Sequence, residues 1–359
     1  IPRSYSTQMQ VMINTLNDIR TSDKQINGTH GIGVLMANSL MFQRFPDHNG
    51  YDDPQFSSFY GQTLPLLKRG IPVELVHMEN TPFQETFKGL QVLVMSYSNM
   101  KPMKPEYHNY LADWVKKGGT LVYCGEDVDP YQTVLEWWNT EGNAYKAPSE
   151  HLFETMGLSR TPGDGTYRSG KGTVIVMRED PKHFVLKNGN DRKYFETIAS
   201  AYLDKTGKKI EIKNNFVVER GPYTIAAVMD ESSSKEPLKL SGLYIDLFEK
   251  DLPILTMKQI NPGEQGYLYD LSKVSGKVKA KVLCGASRVY DEKVGKQSYS
   301  FVAKSPLHTT NVSRILLPRK PGKVLVNGKT EQPQWDESSK TLLLSFENDP
   351  AGVNVSIEW

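Results

Sequence analysis

The first two hundred residues repeat one rhythm. Short, uniformly apolar runs alternate with amphipathic stretches of helical period. GIGVLMANS from Gly31 is such a run, bounded by turn residues, as expected of a strand buried on both faces. IPVELVHMEN, LQVLVMSYSNMKP, TLVYCGED and GTVIVMRED repeat the pattern. Between them, Asp53-Pro54 reads as an N-cap followed by proline at the first helical position. Phe56, Phe59, Tyr60 and Leu67 mark that helix, which Pro65 kinks or ends. Tyr107, Leu111, Trp114 and Val115 mark a second, closed by Gly118-Gly119. Asp129-Pro130 opens a third, PYQTVLEWWN. Ser149 caps EHLFETM, and Tyr194, Phe195, Ile198 and Tyr202 mark a last helix ending at Gly207. Strands alternating with helices in this way predict βαβ units. The predicted fold class is α/β, an open, mostly parallel sheet with helices on both faces, over residues 28–208.

Before it, Val11, Met12, Leu16 and Ile19 recur at helical spacing over residues 7–20, and residues 21–30 read as a polar linker. Residues 1–27 thus form an N-terminal helix and linker. After Lys208 the helical period disappears. Alternating or apolar runs follow, punctuated by Gly, Pro and Asn, and Asn327-Gly328 is a hairpin signal. This is an all-β sandwich region, with a boundary placed near 275 that separates a first part (209–275) from a C-terminal part (276–359).

Composition changes little in this picture. The 359 residues carry 43 basic and 41 acidic side chains, a net charge of +2. Neither half is basic, so no nucleic-acid partner is expected. No apolar run has the length of a membrane helix, so no membrane partner is expected either. The two cysteines, Cys124 and Cys284, make no disulfide framework or metal spacing, and the compartment stays open. No P-loop and no G-x-G-x-x-G after the first strand occurs, so no nucleotide, metal or other cofactor is expected. The chain starts at Ile1 rather than Met, which reads as a processed form or a piece of something longer.

Ligands of open α/β sheets bind beyond the carboxyl ends of the strands. Those ends carry Asn38, Ser39, Glu79, Asn80, Ser96, Tyr97, Ser98, Asn99, Cys124, Glu126 and Asp127. Cys124 is the one nucleophile candidate, at a strand end before Gly125. A nucleophile elbow wants small residues two positions away on either side, and Val122 and Glu126 stand there. A thiolate also needs a histidine. His151 and His183 lie downstream outside any His-x-Glu pair, and His77-Met78-Glu79 has that spacing but lies upstream, with both side chains on one strand face. Arg44, His48 and Asp52 sit in a long loop after the first strand, which reads equally as a ligand loop or as domain packing. Trp137-Trp138 could form a sugar platform, although core or interface packing is the commoner use of such a pair.

Several stretches carry a family resemblance: GIGVLMANSLMFQR, LPLLKRGIPVELVHMEN, the run from LVMSYSNMKP through VKKGGTLVYCGEDVDPY, VVERGPYTIAAVMDES, LYIDLFEKDLPIL, and the closing VLVNGK and TLLLSFEN. In order and phrasing they resemble the C-terminal part of three-domain β-galactosidases, across nearly all of residues 28–359. There a glutamine-amidotransferase-like trimerisation domain is followed by a small β-sandwich. The resemblance implies a non-catalytic accessory or oligomerisation region of a glycoside hydrolase, a homo-oligomer (dimer or trimer), and a carbohydrate as ligand. It points by position to the Arg44–Asp53 loop and the Trp137-Trp138 helix. It does not carry over amidotransferase chemistry, because the elbow and its histidine are missing. The alternatives are a thiol hydrolase or amidotransferase using Cys124, and a carbohydrate-binding module using exposed aromatics.

Overall fold

The computed structural model describes residues 2–19, 22–42, 56–186, 189–274, 276 and 279–359. The chain divides into two compact units. One is Gly28–Asn214 with Glu231–Ser234; the other is Ile1–Asn27, Asn215–Asp230 and Lys235–Trp359.

The first unit is a six-stranded mixed sheet. From edge to edge run Glu74–His77, Ile32–Met36, Val92–Met95, Thr120–Cys124, Gly172–Met177 and Gly165–Ser169. The first five are parallel and the last is antiparallel. The central strands Val92–Met95 and Thr120–Cys124 are buried at every position, which explains their unbroken apolar character. Each face has its own core. On one, Leu93, Met95, Leu121 and Tyr123 pack with Leu111, Ala112 and Val115 of the helix Glu106–Lys116 and Leu152 and Phe153 of the helix Pro148–Thr155. On the other, Val92, Val94, Val122 and Cys124 pack with Leu66 of the helix Ser57–Leu67 and Tyr194, Ile198 and Ala201 of the helix Asp191–Thr206. Each fully buried aliphatic here is worth about 1.5–3 kcal/mol over exposure.

Local differences from the sequence expectations have local causes. The helix expected over PYQTVLEWWN is a single 3-10 turn, Pro130–Thr133. Asp129 caps it through a bond from the Tyr131 amide, but the turn stops before Val134 and Leu135, which are exposed. The tryptophans therefore lie beyond it, outside any helix. Ser149 is not the cap of its helix: Ala147 holds that position with Pro148 following, and the serine hydroxyl donates to Asp127 instead. Pro65 sits inside its helix. The edge strand Gly165–Ser169, which the apolar pattern does not mark, pairs with Gly172–Met177 around Gly170 (φ 58°). The Asp53-Pro54 cap lies outside the described residues.

Among the described residues the second unit is β-structure apart from one long helix and a short 3-10 turn, Leu271–Lys273. Its six-stranded antiparallel sheet runs in the order Lys24–Ile26, Asn215–Arg220, Tyr223–Val228, Gln265–Asp270, Leu238–Asp246, Ile254–Ile260. The expected linker thus contributes an edge strand. A four-stranded and a five-stranded sheet form a sandwich. Ile315, Leu342 and Leu344 from one meet Tyr299, Phe301, Val355 and Ile357 from the other. The Asn327-Gly328 hairpin forms as expected, with φ of 49° and 78°. The helix Arg3–Ile19 buries Thr7, Val11, Thr15 and Ile19. Of the residues that predicted it, Leu16 points out at 55% exposure. Val11 and Ile19 share one apolar cluster with Tyr223, Tyr267, Leu283, Cys284 and Val312. That cluster runs across the position-275 boundary and holds the N-terminal helix in the same unit.

Candidate functional site: the carboxyl ends of the parallel strands

Cys124 ends the strand Thr120–Cys124 and is fully buried. It is a free thiol inside the apolar cluster with Val122, Tyr194 and Ile198. Burial pushes the thiol far up, and the charges acting on it, Glu179, Asp164 and Asp180, push it the same way. A reactive thiolate needs the opposite, a nearby cation or an imidazolium. Cys124 is a packing residue.

The histidines are employed elsewhere. His151 Nδ1 lies 2.8 Å from His108 Nδ1, and His108 Nε2 lies 2.6 Å from the Tyr97 hydroxyl. His108 is fully buried on its helix. Burial drives its imidazole well below the ordinary value, with His151 adding to the fall, and burial lowers His151 too. Two neutral rings then share one proton, which lets each satisfy the other. Trp137 packs edge-on to both, at 5.6 and 5.2 Å between ring centres, and donates to Pro102 O at 2.9 Å. Trp138 is 1% exposed and donates to Gln132 O. Trp138 is therefore core, whereas Trp137 is half-buried beside the histidine pair. His77 and Glu79 do not share a strand face, because the strand ends at His77 and Met78–Asn80 is a 3-10 turn.

The polar residues expected at the strand ends divide into two bonded groups. In the first, the Lys101 ammonium lies 2.7 Å from Asp129, with the side chains 9% and 3% exposed. Burial lowers the Lys101 pKa and Asp129 opposes that fall. Asp129 also accepts from the Asn99 amide (3.1 Å) and the Gln132 side chain (3.3 Å). Asn99, left-handed at φ 58°, donates to Ser58 Oγ, which reaches Asp180. Ser39 accepts from the Lys101 amide at 2.9 Å. Ser96 accepts from the Ser98 amide at 3.0 Å. Glu79 accepts from the Asn38 amide at 2.8 Å.

In the second group, Asp127 is left-handed at φ 60°. Its carboxylate accepts from Ser149 Oγ at 2.7 Å, from Arg178 Nη1 at 2.6 Å and from the Tyr123 hydroxyl. Arg178 donates further to Pro162 O and Gly125 O, and its guanidinium lies 5.3 Å from the Phe153 ring centre. Glu126 is exposed. Arg44, His48 and Asp52 lie outside the described residues.

Sequence reasoning therefore selected Ser96, Tyr97, Asn99, Asp127 and Glu79 and missed Lys101, Asp129, His108 and Arg178, whose bonds hold Tyr97, Asn99 and Asp127. Asp129 was visible only as a helix cap. Lys101 carried no signal, because nothing local distinguishes a lysine that will be buried from one that will be solvated.

No family model matches this chain. No curated protein matches it. Among solved structures it is similar to the β-galactosidase of Bacillus circulans sp. alkalophilus, at 11% identity and a TM-score of 0.41, over 68% of this chain and 42% of that one. It is similar to a catalytic mutant of Gan42B, a GH42 β-galactosidase from G. stearothermophilus, at 13% and 0.40, over 68% and 40%. A third is the β-galactosidase of the Antarctic haloarchaeon Halorubrum lacusprofundi, at 14% and 0.39, over 71% and 42%. The chain spans about two fifths of the length of these enzymes.

Proposed function

We propose that this chain is a non-catalytic accessory or oligomerisation region of a β-galactosidase-like glycoside hydrolase, with an amidotransferase-like α/β unit that has lost the amidotransferase nucleophile. The burial of Cys124 among apolar side chains, with carboxylates as its charged neighbours, carries the reading. Burial that disfavours the thiolate makes a poor nucleophile for an amide or an ester, which weighs against the thiol-hydrolase alternative. The domain order and phrasing of the sequence supply the glycoside-hydrolase part. Assembly into a dimer or trimer belongs to the same proposal.

The purified chain, assayed with nitrophenyl galactosides and glucosides, is expected to release no nitrophenol above background. Glycoside hydrolysis by this chain alone, abolished by a single carboxylate substitution within it, overturns the accessory role. Light scattering across a concentration series is expected to give two or three times the chain mass of 40.5 kDa, and a strict monomer overturns the oligomerisation role.

A further inference from the structure

The α/β sheet is unevenly covered. The helix Asp191–Thr206 turns Tyr194, Ile198 and Ala201 into the core formed by the inner strands. Beside it, one face of the last two strands borders an open cleft of about 720 Å³. That lies within the roughly 300–1,000 Å³ typical of small-ligand sites. Its floor is the cross-strand pairs Thr166–Ile175 and Arg168–Thr173. Its wall is the helix face carrying Lys193, Thr197, Ser200 and Asp204, spaced three or four residues apart.

A helix facing a sheet normally meets it with apolar side chains. Here four hydroxyls stand at that junction: Thr166, Thr173, Thr197 and Ser200. Four cations, Arg168, Lys171, Lys193 and Lys205, oppose two carboxylates, Asp164 and Asp204. Lys193 lies 3.7 Å from Asp164, and Lys205 donates to Gly118 O at 2.6 Å. Arg168 and Lys171 have no carboxylate within ion-pair distance among the described residues; Arg168 rests on the Thr173 hydroxyl at 3.4 Å. The turn presenting Lys171 is pinned, because its amide donates to Lys116 O at 2.9 Å. A Cβ on the following Gly172 would sit 1.9 Å from Val115 O.

We infer that this cleft binds an acidic oligosaccharide, its carboxylates or sulfates held by Arg168 and Lys171 and its ring hydroxyls by the threonine and serine hydroxyls. A neutral sugar is a poorer match. Its ring faces want apolar or aromatic surface, and the lining contains no aromatic side chain among the described residues. A guanidinium and a hydroxyl-rich wall instead fit a ligand that is anionic and polyhydroxylated at once. The choice of a saccharide among anions rests on the glycoside-hydrolase reading above.

The test is calorimetric titration of the full chain with oligogalacturonate, a neutral galacto-oligosaccharide of equal length, inorganic sulfate and a short single-stranded oligonucleotide. Oligogalacturonate is expected to bind, and the neutral sugar to bind at least about tenfold more weakly. In Arg168→Ala/Lys171→Ala the acidic ligand should lose about tenfold or more in affinity, with the melting midpoint unchanged. Thr197→Val/Ser200→Ala should weaken oligogalacturonate and leave sulfate unaffected. Equal binding of the neutral sugar, no binding of oligogalacturonate, or an unchanged double variant overturns the inference. Tighter binding of the oligonucleotide overturns the saccharide assignment. Failure here leaves the chain non-hydrolytic, so it is distinguishable from failure of the accessory reading, which glycoside hydrolysis alone would reveal.

Discussion

Two polar regions of the α/β unit use similar residues to opposite ends. At the carboxyl ends of the central strands, Lys101, Asp129, Asp127 and Arg178 are paired within 2.7 Å and largely shielded from water. In the cleft beside the last two strands, Arg168 and Lys171 stand in solvent without a carboxylate partner among the described residues. The first region is where an open α/β sheet usually holds its ligand, and here its charges are committed to one another. The second is where no sequence rule directs attention, and its charges are free to meet something else. Charge content therefore does not locate a binding surface. What matters is whether the surrounding fold has already supplied the counter-charge.

Variants can break this contrast, and the largest effect belongs to the buried side. Lys101→Met leaves Asp129 buried without its cation and should cost about 3–5 kcal/mol, read as a lowered urea midpoint. A loss under about 1 kcal/mol would mean that water already reaches Asp129. Next comes Cys124→Ser, which places a hydroxyl in the apolar cluster and should cost about 1–3 kcal/mol. In the native protein Cys124 should react with a thiol reagent only as fast as the protein unfolds, and a rapidly labelled Cys124 would reopen the nucleophile question.

The histidine pair supplies a pH test. Both imidazoles are depressed in the folded chain, so below the unfolded value of about 6.5 the unfolded state takes up protons that the native state refuses. Stability should be intact above about pH 6.5 and fall as the pH drops through and below it, by at most about 1.4 kcal/mol per pH unit for each ring. Substituting both rings, in His108→Gln/His151→Gln, should flatten the profile of urea midpoint against pH between about 7.5 and 5. An unflattened profile would assign the acid sensitivity to other groups. The smallest effect is on the open side: Arg168→Ala and Lys171→Ala should each change stability by about 0.5 kcal/mol or less. A larger loss would show that the cleft's charges serve the fold after all.

Legibility followed the range of the interactions. The central strands were readable because burial on both faces leaves an unbroken apolar run, as in LQVLVM. The Asn327-Gly328 hairpin was readable because its turn demands positive φ at two adjacent residues. The helix through Trp137-Trp138 was misread because Asp129-Pro130 does start a capped turn, but one that stops at Thr133; beyond it tertiary packing takes over, with Trp137 against the two histidines and Trp138 in the core. The strand Gly165–Ser169 escaped because its positions are mostly exposed and show no apolar alternation.

By itself the sequence determined the division into an α/β part and a β part, the central strands and most helices, because each rests on local periodicity and turn chemistry. It also ruled out an intact nucleophile elbow, since Val122 and Glu126 stand where small residues are required. Only the tertiary structure decided which polar residues are consumed by the fold. The partner of Lys101 is 28 residues away and that of His108 is 43 away, and a side chain's partner and its desolvation depend on groups that the fold alone brings together.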